Sequence, residues 1–197
     1  MSALDCGRLH RIQSINNDAI IEATRRWVEK AVIGLGLCPF AESVYRSDGV
    51  RFHVCEQRSA AALLEDLRAE LLHLYSADAR QCETTLLIHP WVLNDFVEFN
   101  DFLQICDEAV SDLDLEGEIQ VASFHPQYQF AGTKADDIEN HTNRSPYPTL
   151  HLLREASVER ALAAVPEPEL IYENNIRRLR ELGPAGWEAL WIDKRDP

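Results

Sequence analysis

The segment Glu83–His89, ETTLLIH, constrains the fold more than any other part of the chain. Its apolar run is nearly continuous, which is typical of a strand that is buried on both faces of a sheet. Pro90 follows directly and ends the strand, because proline has no backbone N–H to donate. Strands of this kind occur in sheets that helices cover, so the segment favours an α/β domain.

Two further strands and the helical patterns between them complete the predicted order. Val50–Gln57 alternates apolar and polar residues, and Glu118–Phe124 is predicted as the third strand. A long polar loop follows, and then a helix that is predicted to begin at Thr149 or Ser145. The predicted fold class is α/β, with a small sheet of three or four strands, either mainly parallel or mixed, and helices packed on it. The alternative is a ferredoxin-like α+β fold, in which Gln127–Ala131 returns as an antiparallel fourth strand.

The length and composition suit one folded domain. The chain has 197 residues, of which 46% are hydrophobic, so it is long enough and apolar enough to bury a core. Residues 1–14 show no clear periodicity of apolar residues and are predicted to form a loose tail. Residues 15–197 are predicted to form a single α/β domain.

The charge balance excludes two classes of partner. Nineteen basic residues stand against thirty-three acidic ones, and the formal net charge is -14. Nucleic acids and anionic membranes attract basic surfaces, so we expect neither as a partner. An anionic ligand would need a local cluster of Arg and His side chains.

The apolar and cysteine patterns indicate a cytoplasmic protein. No apolar run approaches the ~18–20 residues that cross a bilayer, and the first residues lack the apolar core of a signal peptide. The five cysteines are scattered and form no CxxC pair, so they are predicted to be free thiols in a reducing compartment. Among them, Cys38 is predicted to be buried, because it follows the C-terminus of a helix, whose dipole disfavours a thiolate.

Two predicted strands end in the same way, with a histidine followed by a proline. His89 precedes Pro90, and His125 precedes Pro126. In parallel strands both imidazoles would lie at one edge of the sheet, ~5 Å apart on adjacent strands or ~10 Å apart with one strand between them. We predict that His89 and His125 face one cavity as catalytic acid–base groups, or as ligands of a divalent metal. The alternative is that each histidine caps its strand by bonding to backbone.

The loop after the third strand supplies a predicted anion site. Arg144 and Ser145 come just before the predicted helix, and His151 and Arg154 fall in its first turns. Helix N-termini attract anions, and an arginine fork suits carboxylate or phosphate. Together with Tyr128, these residues are predicted to bind the substrate. The alternative is an ordinary capped helix, with Arg144 paired to one of the loop carboxylates.

Four short strings of residues are unusual in this chain, namely GLCPF at 36–40, LIHP at 87–90, FHPQYQF at 124–130 and NRSPYP at 143–148. Together they resemble an uncharacterised family, the one catalogued as domain of unknown function 1415. The resemblance runs from about Trp27 to the last helix. The family implies no activity, cofactor or catalytic residue, so the functional predictions come from the residues alone.

The sequence leaves three functions open. The first is an enzyme that acts on a small anionic metabolite, with paired histidines and arginine anion holders. The second is a non-catalytic module that binds a metabolite or a metal in the same cleft. The third is a partner-docking protein, whose loop exposes Tyr128, Phe130 and Tyr147. The substrate, the reaction and the oligomeric state stay open.

Overall fold

The computed structural model describes residues 17–190 and places four strands in one mixed sheet. The order across the sheet is β1 (Val50–Val54), β2 (Thr84–Ile88), β4 (Thr149–Arg154) and β3 (Ile119–Phe124). β1 pairs with β2 in parallel, whereas β4 runs antiparallel to both of its neighbours. The predicted α/β class and the three predicted strands are confirmed. The predicted tail at residues 1–14 lies outside the described residues.

Helices and short helical turns make up most of the remaining described chain. Helix α1 occupies residues 17–27 and continues without a break as a π-helical segment, Val28–Ile33. The other α-helices are α2 (Ala41–Arg46), α3 (Ala60–Ser76), α4 (Phe96–Asp112), α5 (Glu155–Ala163) and α6 (Ile171–Ala189). Two 3-10 turns lie at Ile138–Asn143 and Pro168–Leu170.

Helices α3 and α4 cover one face of the sheet. Ser59 starts α3 by accepting a hydrogen bond from the N–H of Ala62 (3.3 Å), which satisfies one free donor of the first turn. Leucines at helical spacing then form its buried stripe, as expected from the period of 3.6 residues. They pack with Phe99 of α4 and with Leu87 and Leu150 of the sheet in one apolar cluster. The stripe consists of Leu63, Leu67, Leu71 and Leu74.

The helices at the two ends of the described chain cover the opposite face. Trp27 and Val28 of the first helical segment pack in one cluster with Leu179 and Trp187 of α6. Leu86 of β2 belongs to this second cluster, whereas its neighbour Leu87 points into the first. The burial of β2 on both faces thus follows from the alternation of its side chains.

The fourth strand corrects one sequence-based prediction. The helix that was predicted to begin at Thr149 or Ser145 is wrong over its first part, because Thr149–Arg154 is β4 and α5 begins only at Glu155. The strand forms because it finds β2 on one side and β3 on the other, and this pairing outweighs local helix propensity. The alternative fourth strand, Gln127–Ala131, is also wrong, because that segment is irregular.

Between residues 17 and 190, no helix combines the length and the apolar character that are needed to cross a membrane.

Candidate functional site

His89 and His125 lie at the same edge of the sheet, one strand apart. β2 and β3 both run antiparallel to β4, which separates them, so both strands end at one edge. The N–H of His89 donates to the carbonyl of Pro148 (3.0 Å), and that of His125 donates to the carbonyl of Asn143 (3.1 Å). The returning end of the long loop therefore passes between the two histidines.

Both imidazoles are fully buried and pack against the ring of Phe99. The ring centroid of Phe99 lies 5.6 Å from that of His89 and 5.0 Å from that of His125. Burial lowers the pKa of His89 to about 4, and it lowers the pKa of His125 as well. Both rings are therefore neutral at neutral pH.

The two imidazoles bond to the backbone that follows their strands. Nδ1 of His89 donates to the carbonyl of Val92 (3.0 Å), and Nε2 of His125 donates to the carbonyl of Leu93 (3.2 Å). Nδ1 of His125 accepts from the N–H of Gln127 (3.0 Å), so both of its ring nitrogens are used. Nε2 of His89 is buried without a hydrogen-bond partner among the described residues. These contacts match the strand-capping alternative, and the acid–base pair stays a prediction.

Arg144 holds the long loop together. Its Nε donates to the carbonyl of Tyr128 (3.2 Å), and its Nη2 donates to the carbonyl of Ala135 (2.5 Å). The predicted anion site between Arg144 and a helix N-terminus is wrong in its geometry, because the segment beyond the loop is β4. The ring of Tyr128 packs against Phe96, with 5.1 Å between the centroids. The hydroxyl of the buried Ser145 donates to the carbonyl of Tyr147 (2.6 Å).

Arg154 joins β4 to the end of α3. One terminal nitrogen of its guanidinium, Nη2, donates to the carbonyls of Leu74 (2.5 Å), Ala77 (2.8 Å) and Cys82 (3.1 Å). Backbone carbonyls thus occupy Nη2 of the side chain that was predicted to hold an anion, whereas its Nε is buried without a partner among the described residues. Arg154 accordingly ties the loop between α3 and β2 to the sheet.

A cavity of about 630 Å³ lies on the other face of the sheet, away from His89 and His125. Its floor is the sheet, and its walls are α1, the corner that follows the π-helical segment, and α5. The lining is mainly apolar, although polar side chains also reach it, namely Cys38, Ser43, Glu83, Thr84, His151, Arg154, Ser157 and Arg160. The apolar part of the lining includes Trp27, Val28, Val32, Phe40, Leu86, Phe124, Val158, Ala161 and Ala164.

His151 and Thr84 form a hydrogen-bonded pair on the floor of this cavity. The hydroxyl of Thr84 lies 2.6 Å from the carbonyl of Leu152 and 2.8 Å from Nε2 of His151. The carbonyl can only accept, so the single hydroxyl proton goes to Leu152 and the hydroxyl oxygen accepts the Nε2–H of His151. Burial lowers the pKa of His151 to about 4, so the ring is neutral at neutral pH.

The other polar groups of the cavity have restricted chemistry. The thiol of Cys38 is half-buried, and burial raises its pKa, so it is not a thiolate at neutral pH. Arg160 forms an ion pair with Glu83 (3.3 Å) and also donates to the hydroxyl of Ser157 (2.9 Å). Over residues 17–190, no three His, Cys, Asp or Glu side chains are grouped as a metal site would require. His89 and His125 therefore lack a third such ligand within that range.

His151 was selected from the sequence as a binding residue but was assigned to the wrong kind of secondary structure. The residue was placed at the start of a helix and assigned to an anion, whereas it lies in the middle of β4 and faces an apolar cavity. Thr84 was not selected, and Cys38 was expected to be buried in the core. The pattern Thr149-Leu150-His151-Leu152 does alternate as a strand would, and this was the available signal.

A family model described as a protein of unknown function (DUF1415) matches residues 19–189. No curated protein and no solved structure matches the chain.

Proposed function

Since the chain belongs to the DUF1415 family, whose description assigns no function, we propose from its geometry that it binds a small molecule in the cavity between the sheet, α1 and α5. One observation carries the proposal. An imidazole with an unused ring nitrogen lies on the floor of a mainly apolar cavity of about 630 Å³. Ligand sites typically enclose ~300–1,000 Å³ and combine apolar walls with a few placed polar groups.

Packing considerations support a ligand in this space. Concave sites with apolar walls bury most of the surface of a bound small molecule. The walls here include Trp27, Phe40 and Phe124, whose rings would gain contacts from an apolar occupant. The function that best fits these residues is a binding module for a metabolite, without a catalytic role for the cavity.

Partial filling of the cavity should weaken binding. Ala161 lines the cavity from α5, so Ala161→Phe would place a ring where the ligand is proposed to lie. We expect this variant to bind the neutral dye N-phenyl-1-naphthylamine at least about tenfold more weakly than the wild type, because overpacked sites exclude ligand volume. Titration of the dye, followed by its fluorescence, measures the difference.

The matched control is Ala163→Phe, which makes the same exchange on the same helix at an exposed position. The control should bind the dye as the wild type does. Equal dye affinity of the two variants, or the absence of dye binding by the wild type, would contradict the proposal.

An enzyme that acts on a small anionic metabolite through His89 and His125 is the second candidate. The observation in its favour is Nε2 of His89, a buried nitrogen that has no partner among the residues that the structure describes. Desolvated imidazoles with an unused nitrogen are found at acid–base sites, although structural histidines share this property.

If the two histidines act as a pair, removal of one should shift the titration of the other. His125→Ala is expected to raise the pKa of His89, because the charge of a protonated His125 lowers that pKa. NMR titration of the imidazole protons measures the shift, with His73→Ala on the exposed side of α3 as the control. An unchanged His89 titration in His125→Ala would leave both residues as strand caps.

A further inference from the structure

We infer that the ligand of the cavity is a neutral, mainly apolar molecule with one hydrogen-bond donor, of the kind that a phenol or an alcohol presents, directed at Nδ1 of His151. This inference rests on the proposed function, because it names the chemical class of the ligand for that site. It follows from the protonation state of the His151 ring, from the hydrogen-bond and ion-pair partners of Arg154 and Arg160, and from the apolar lining of the cavity.

The hydrogen bonds of Thr84 decide which nitrogen of His151 is open. The hydroxyl proton of Thr84 is used on the carbonyl of Leu152, so Nε2 of His151 must carry a proton and donate it. A neutral imidazole has one N–H, and Nδ1 is therefore an acceptor with a free lone pair. Among the residues described, nothing bonds to Nδ1, and it is not sealed off as Nε2 of His89 is. His151 lines the cavity, so a ligand can reach this lone pair.

The lone pair selects a donor and rejects an anion. A hydroxyl or an N–H can donate to Nδ1, whereas a carboxylate presents only lone pairs to it. Protonation of the ring would reverse this preference, but burial lowers the pKa of His151 to about 4 and keeps the ring neutral at neutral pH. The anionic ligand that was predicted from the sequence is therefore not proposed for this cavity.

The two arginines that line the cavity do not change this conclusion. Nη2 of Arg154 donates to three backbone carbonyls, and Arg160 is paired with Glu83. Nε of Arg154 has no partner among the described residues, but it is buried and therefore not exposed to a ligand in the cavity. An anion in the cavity would meet the carboxylate of Glu83 and a largely apolar wall, and burial of an unpaired charge is costly. A neutral ligand avoids this cost and gains the apolar contacts.

Three probes of nearly the same shape test the inference. They are 2-naphthol, which donates a hydrogen bond, 2-methoxynaphthalene, which does not, and 2-naphthoate, which is an anion. Equilibrium dialysis at neutral pH gives the affinity of each for the wild-type protein and for His151→Phe. The variant keeps a ring at this position and removes the acceptor.

For the wild type we expect 2-naphthol to bind about tenfold more tightly than the ether, as one neutral hydrogen bond provides. The naphthoate should bind most weakly of the three. In His151→Phe the preference for 2-naphthol over the ether should fall to less than about twofold, while the ether itself still binds.

The outcomes separate the inference from the proposed function. Equal binding of 2-naphthol and the ether by the wild type, or tightest binding of the naphthoate, would overturn the inference and leave the cavity as a binding site. Failure of all three probes to bind would overturn both. The wild-type comparison is decisive even if His151→Phe does not fold.

Discussion

Acidification from neutral pH to about pH 4.5 is expected to lower the free energy of unfolding by about 5 kcal/mol, with about half of the loss from each of two buried histidines. Burial lowers the pKa of His89 and of His151 from 6.5 to about 4. Between pH 6.5 and about 4, these two histidines bind protons in the unfolded chain, whereas their buried rings stay neutral in the folded protein. The stability that the two neutral rings contribute is thus complete above pH 6.5 and is lost as the pH falls toward 4.

Urea denaturation at a series of pH values, followed by tryptophan fluorescence, measures this loss. Domains of this size are commonly stable by only ~5–15 kcal/mol, so the effect should bring the protein close to unfolding. His151→Phe should flatten the pH dependence by as much as about 1.4 kcal/mol per pH unit, the effect of one proton. The same exchange at the exposed His73 is the control. A stability that stays constant down to pH 4.5 would contradict the burial of neutral imidazoles.

Arg154→Leu is expected to destabilise the protein by about 3 kcal/mol or more, because it leaves three backbone carbonyls without their donor. These carbonyls belong to Leu74, Ala77 and Cys82, at the end of α3 and in the loop before β2. Arg154→Lys should recover part of the loss, since an ammonium group can donate to some of the same oxygens. Urea denaturation at neutral pH gives the free energy of unfolding for each variant.

Arg160→Leu is the matched control, because Arg160 is an exposed arginine whose ion pair with Glu83 is a surface interaction. Pairs of this kind contribute ~0–1 kcal/mol, so its loss should be small. If Arg154→Leu lowered the free energy of unfolding as little as Arg160→Leu does, the proposed structural role of Arg154 would be wrong. If Arg154→Leu instead abolished the binding of an anion without destabilising the fold, the role predicted from the sequence would be restored.

The strands that end in histidine could be predicted because their signals are local. Thr84–Ile88 has two β-branched threonines followed by three apolar residues and is bounded by Pro90, so no helix pattern competes with the strand pattern. The common edge of His89 and His125 followed from the same signals. Whether the two rings point into a cavity or into a packed core depends on Phe99 and on the loop backbone, which come from other parts of the chain.

The fourth strand and the cavity could not be predicted by the same reasoning. Leu150, Leu153, Ser157 and Ala161 have helical spacing, so the helix pattern of α5 extends backwards over β4 without an interruption. No glycine or proline separates the two elements. The strand exists because β2 and β3 hold it on both sides, and the cavity is lined by residues that are as far apart in the sequence as Trp27 and Pro166. Both depend on contacts between distant parts of the chain.

The central position of β4 has a consequence for the synthesis of the protein. β2 and β3 are made first, but they do not pair with each other, and each leaves a backbone edge open until residues 149–154 emerge from the ribosome. Open edges of this kind are prone to pair with other chains, and long-range pairing is slow. We therefore expect the sheet to close late, after translation of β4, and the nascent chain to be most vulnerable to misassembly just before that point.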